Sequence, residues 1–199
     1  MLTPQQAEQT LLEHSPPGEL WPLHCRQVAK VAARVAKELE KRGCQVSADE
    51  VEAQALVHDI GRSKTHGPMH GWSGFTLLRA LGQEETGRGC ITHWLKGRAP
   101  EDLLASDHFS PAFVKRIFAA LNPPEWCLGD SVLSFADSCV MHTTIVSLAE
   151  RHEDLLVRYG DSPWMNQART LAEAHENELS LALDFPVEDL VSPLHGDKL

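Results

Sequence analysis

Apolar residues recur every three or four positions along most of the chain. Val28, Val31, Ala32, Val35, Ala36 and Leu39 keep this spacing and predict an amphipathic helix over about 23–42, with Gly43 as its stop. Ser47 and Glu50 have capping-box spacing, and the helix they open turns Val51, Ala55, Leu56 and Val57 inward. His58 and Asp59 stand at its end, before Gly61 breaks it. A loop from Arg62 to Met69 contains the breakers Gly67 and Pro68. Two more helices are expected, over about 70–81 with Phe75, Leu77, Leu78 and Leu81, and over about 83–94, where His93 falls near the end.

Gly97, Arg98 and Pro100 mark a loop. Ser110-Pro111 reads as an N-cap with proline in the first helical position, opening a helix to about Leu121 that Asn122-Pro123-Pro124 ends. One long helix is expected from about Asp130 to Tyr159. Ser162-Pro163 opens the last, to about Leu183, and Val187 to Leu199 is expected to fray. Strict alternation of apolar and polar residues never persists. The pattern predicts an all-α fold of about five to seven core helices, in a single domain over 1–199 with its core at about 20–160 and a C-terminal helix at about 163–184.

Composition narrows the class. A chain of 199 residues can bury roughly 70% of its unfolded surface, so it needs no disulfide staple. Its five cysteines form no CxxC pair; Cys25 and Cys139 lie in apolar helical surroundings and read as buried free thiols. Reduced thiols fit a cytoplasmic setting. No apolar run reaches the roughly 20 residues that cross a bilayer, and the N-terminus has no secretory pattern. The formal charge of −10, from 28 acidic and 18 basic residues, argues against nucleic acid as a partner. Oligomeric state is not legible.

The chemistry concentrates in His58-Asp59-Ile60-Gly61-Arg62. An imidazole and a carboxylate stand side by side, followed by a glycine and a cation. His24 upstream, His70 and His93 downstream and Asp137 further on complete a candidate ligand set drawn from separate helices. Nitrogen and oxygen donors of this kind suit borderline divalent metals: iron, manganese, cobalt, nickel or zinc. Asp137, flanked by Phe135-Ala136 and Ser138-Cys139-Val140, would be a costly unpaired carboxylate on an apolar helix face. His14, His108, His142, His152, His175 and His195 read as surface or hydrogen-bonded residues, with His142 on a different helical face from Asp137. Trp94, beside His93, is the tryptophan expected nearest the site. No GxxxxGK[ST] or GxGxxG segment is present, which excludes nucleotide binding by those devices.

The order H…HD…H…H…D resembles the HD-domain superfamily of metal-dependent phosphohydrolases, and the wording from His58 to Gly67 followed by His70 resembles its small HDIG subgroup. The resemblance implies that His24, His58, Asp59 and Asp137 hold one divalent metal. It implies that His70 and His93 add a second, with Asp59 shared because one carboxylate has two oxygens. It also implies hydrolysis of a nucleotide or other small phosphoester by metal-activated water, with Asp59 orienting the water. Many members carry lysine where this chain has Arg62. A guanidinium there keeps the charge and offers a planar fork to phosphate oxygens, and Lys64 and His66 are further candidates for substrate binding. Two other classes fit the same residues: a binuclear iron oxygenase of the myo-inositol oxygenase type, and a non-catalytic nucleotide-binding protein.

Overall fold

The computed structural model describes residues 1–106 and 108–199. Among these, the chain forms eleven α-helices and one short hairpin, so the fold is all-α as expected. The elements are α1 (Pro4–His14), α2 (Trp21–Lys41), α3 (Ala48–Val57), α4 (His70–Ala80), α5 (Glu84–Leu95), α6 (Pro100–Ala105), α7 (Pro111–Phe118), α8 (Leu128–Ser138), β1 (Val140–Met141), β2 (Thr144–Ile145), α9 (Leu148–Tyr159), α10 (Pro163–Leu183) and α11 (Glu188–Val191). Single 3-10 turns cover Ile60–Ser63 and Ser192–Leu194. None of the helices is long and apolar enough to cross a membrane, and the five cysteines are unpaired.

The predicted stripe of α2 is the spine of the core. Val28, Val31, Ala32, Val35, Ala36 and Leu39 are all fully buried, and burying each valine or leucine contributes about 1.5–3 kcal/mol. Helix α3 lies along α2, and α8 packs against both. The Ser47 hydroxyl accepts the Glu50 N–H and caps α3. Helices α4 and α5 pack closely against each other through small residues. A Cβ on Gly71 would sit 2.6 Å from the Cys90 carbonyl oxygen, and one on Gly74 would sit 2.9 Å from the Cys90 sulfur. At Gly61 a Cβ would overlap the His70 carbonyl oxygen and the Gly74 nitrogen. These close approaches draw the His58-Asp59 end of α3, the start of α4 and the end of α5 together.

Several local expectations are corrected. The helix expected over 130–159 is two helices separated by a hairpin, with Val140 paired to Ile145 and Met141 to Thr144. The β-branched run Thr143–Val146 favours extended backbone. His142 takes φ +56 at the turn, and Ser147 with Glu150 forms a complete capping box that starts α9. Asp137 therefore lies in the last turn of α8, and His142 is on a hairpin and on no helical face. The tail is docked, not frayed: Val187 and Val191 are fully buried, Lys198 bridges to Thr144, and the Gln27 amide donates to the Asp197 carbonyl. Helix α1, opened by a Thr3–Gln6 capping box, and the short α6 had not been expected.

Replacing Gly71 by alanine raises helix propensity but drives a methyl group into the backbone of α5. The overlap should dominate, and Gly71→Ala should lose about 1–3 kcal/mol of stability in urea denaturation. A midpoint equal to wild type would show that the two helices can separate freely.

Candidate metal centre

Each predicted ligand arrives from a different local device. His24 is in the first turn of α2. His58 caps the C-terminal end of α3, Asp59 follows it, His70 opens α4, His93 is in the last turn of α5 and Asp137 in the last turn of α8. The structure brings all six side chains together. The His24, His58 and Asp137 ligand atoms form one group that could hold a metal, and those of His58, Asp59 and His93 form another, with all atoms in each group within 4.8 Å of one another. His70 Nε2 lies 3.2 Å from Asp59 Oδ1 and 3.2 Å from His93 Nε2. His58 is common to both groups, and Asp59 is in the second of them. The outer oxygen of Asp59 accepts a 2.5 Å hydrogen bond from Arg62 Nε.

Backbone carbonyls fix the imidazoles. Nδ1 of His24 contacts the His142 carbonyl at 2.9 Å, that of His58 the Ala55 carbonyl at 2.7 Å, that of His70 the Gly67 carbonyl at 3.0 Å and that of His93 the Gly89 carbonyl at 3.0 Å. A carbonyl oxygen can only accept, so each Nδ1 carries the proton and, in the neutral ring, each Nε2 presents a lone pair. These lone pairs face one another and the carboxylates. His70 and His93 Nε2 are in contact, and His24 Nε2 meets Asp137 Oδ1 at 3.1 Å. Buried His58 Nε2 and Asp59 Oδ1 have no hydrogen-bond partner at all. Acceptors packed against acceptors require a positive centre between them. A divalent ion satisfies this set of donors, and the carbonyl contacts are the outer-shell support that metal-bound histidines use.

The electrostatics agree. Burial pushes His58 down to about 3 and His70 down to about 4, so both stay neutral near pH 7. Burial by itself would raise the Asp59 carboxyl, but the Arg62 guanidinium that donates to it outweighs burial and holds Asp59 well below its usual range. Asp137 is held down in the same way, by the Lys96 ammonium. Burial, reinforced by Asp59, pushes the Cys25 and Cys90 thiols up, so both stay protonated in the metal-free protein.

Five of the six residues border a cavity of ≈230 Å³, and His58 is buried behind its wall. Arg62 lines it and Trp94 forms part of its side. His66 is exposed and lies at the mouths of two adjoining cavities. Lys64 is exposed and lines none of these cavities. Residues not anticipated complete the wall: Lys96 and Arg98 after α5, Arg151 and His152 on α9, and Trp164 on α10. His152 and His175, expected at the surface or in hydrogen bonds, are both buried, and His175 Nε2 donates to the Lys96 carbonyl at 3.2 Å.

The HD domain family matches residues 23–141, which takes in all six of these residues. An uncharacterised protein of Methanocaldococcus jannaschii is 42% identical over 62 residues, a stretch that covers 31% of this chain and 37% of that protein. The chain thus spans little more than a third of the length of this relative. No solved structure matches the chain.

The two depressed imidazoles set a pH dependence for the metal-free protein. Unfolded chains take up a proton on each near pH 6.5, whereas the folded protein does so only near pH 3–4. The unfolded state therefore binds more protons across this window, and stability falls as pH drops from about 6.5 toward 4. The slope reaches about 1.4 kcal/mol per pH unit for each imidazole. Asp59 and Asp137 add a loss of the same sign at lower pH. Urea denaturation of chelator-treated protein at stepped pH measures this, and a stability that rose on acidification would contradict the neutral-imidazole arrangement.

Proposed function

The chain belongs to the HD-domain family, and from that premise we propose that it is a metal-dependent phosphohydrolase of the HDIG subgroup, acting on a nucleotide or another small phosphoester. One observation carries the choice of an anionic substrate. In a chain with a formal charge of −10, the cavity over the ligand set is lined by Arg62, Lys96, Arg98 and Arg151, and among the described residues its only carboxylates are Asp59 and Asp137. Both are held in the ionised form by neighbouring cations. Any dication added to this wall leaves it positive, which favours a phosphorylated molecule.

His24, His58, Asp59 and Asp137 would hold a divalent metal, and His70 and His93, with Asp59, are the donors for a second. A metal bound there supplies Lewis-acid activation of water and neutralises charge on phosphate oxygens. The protein residues do the rest. Asp59 keeps one oxygen toward His70 and His93 and the other on Arg62, so it orients the attacking water from a fixed position. Arg62 uses Nε for Asp59, which leaves its terminal nitrogens for the phosphoryl oxygens. His66 stands at the rim as a donor to the rest of the substrate. Lys64 has no part in this reading.

Asp59→Ala should lose both metal and phosphatase activity, because it removes the carboxylate that the imidazoles surround. Arg62→Ala should keep its metal and lose about 100-fold in kcat/KM on a chromogenic phosphomonoester or a nucleotide panel. Elemental analysis of protein purified without chelator, together with phosphate release, reads both. Full metal retention in Asp59→Ala would sink the ligand assignment. Turnover that ceased without dioxygen would replace hydrolysis with oxygenase chemistry.

A further inference from the structure

Lys96 occupies a backbone position that does not suit it. It closes α5 with φ +53, in the left-handed region where glycine is the favoured residue, and its N–H caps the Thr92 carbonyl at 2.9 Å. Gly97 follows at φ +84, so glycine was available one position later. The turn is held from behind. The His175 ring donates to the Lys96 carbonyl, lies 3.3 Å from where a Gly97 Cβ would be, and is stacked on Trp126. Arg98 anchors the next step, through the Trp164 and Leu95 carbonyls. A strained residue kept in place by its surroundings calls for a reason in its side chain.

That side chain reaches the metal centre. Lys96 Nζ donates to Asp137 Oδ2 at 2.8 Å and to Ser138 Oγ at 3.1 Å, and the residue lines the cavity. An ammonium has three N–H groups, so one is left over. The two carboxylates are treated alike. Asp59 turns Oδ1 to His70 and His93 and Oδ2 to Arg62, while Asp137 turns Oδ1 to His24 and Oδ2 to Lys96.

We propose that Lys96 is a second phosphoryl-binding cation, which contacts the substrate from the Asp137 side as Arg62 does from the Asp59 side. The proposal rests on the phosphohydrolase reading. Its ligand class is a phosphate monoester dianion or inorganic phosphate. The left-handed turn is retained because it places an ammonium where a glycine would leave none.

The test is calorimetric titration of inorganic phosphate into the full chain at saturating metal, with metal content, thermal midpoint and phosphatase kinetics recorded for each variant. Lys96→Gly relieves the backbone and should melt at or above the wild-type temperature. It should keep its metal, bind phosphate at least about 10-fold more weakly and lose about 100-fold in kcat/KM. Lys96→Met should show the same functional loss with the strain left in place, and Lys96→Arg should recover part of it. Phosphate affinity unchanged in Lys96→Gly and Lys96→Met, with wild type binding normally, overturns the role of Lys96 alone. Loss of metal with full phosphate affinity restored by excess metal also overturns it, because the lysine would then act only through Asp137. A wild-type protein that loads metal but binds no phosphate overturns the phosphohydrolase reading along with it.

Discussion

The structure is organised around lone pairs that face one another. Four imidazoles are locked with Nδ1 on backbone carbonyls, and their other nitrogens converge on two carboxylates. In a buried setting such acceptors repel unless a cation stands among them. Local structure supplies most of the locking. The carbonyl that fixes His58 is Ala55, one of the last four of α3 and so without a partner inside its helix. Gly67 fixes His70 and Gly89 fixes His93, each within one turn. Only His24 depends on a distant element, the hairpin carbonyl of His142. The hairpin between α8 and α9 therefore orients the first ligand of the set, and the docked tail that pairs with Thr144 steadies the hairpin.

Close packing carries that local order into a shared pocket. Gly71 and Gly74 let α4 approach α5, and Gly61 lets the turn after Asp59 lie against the start of α4. Any side chain at these positions would lengthen the distances between His58, His70 and His93. The small residues act on the chemistry through helix spacing, while the buried face of α2 provides the rigid surface from which His24 projects.

The ligand order and most of the helices were legible because both rest on short-range pattern. The stripe from Val28 to Leu39 has one periodicity, and the glycine and proline stops fall where chain breaks occur. The residues that were not legible reach the pocket through tertiary contact. Lys96 reads as an ordinary helix-end cation until the left-handed turn and His175 are seen to aim it. Arg151 and His152 were hidden by the assumption of one helix through the hairpin, although Ser147-Leu148-Ala149-Glu150 carries the capping-box spacing that divides it. The same signal, Thr3 with Gln6, marks the unforeseen α1. In the tail, Val187 and Val191 have helical spacing, but too short a run to outweigh its polar neighbours.

The pairing of each carboxylate with its own cation explains how such a centre can fold at all. A buried Asp59 and a largely buried Asp137 with no counter-charge would be costly, several kcal/mol for a fully buried ion. Arg62 on Asp59 and Lys96 on Asp137 offset that cost within the polypeptide, and the His58 and His70 imidazoles remain neutral, so each carboxylate is balanced before any ion arrives. This balance has a consequence for binding. The cations that neutralise the ligands during folding stay in the wall when a dication is added, and the pocket then holds more positive charge than its own carboxylates can match. The surplus sits in a molecule that is acidic elsewhere. An anion entering the cavity completes the balance, and the arrangement that makes the empty fold tolerable is the one that makes a phosphorylated ligand favourable.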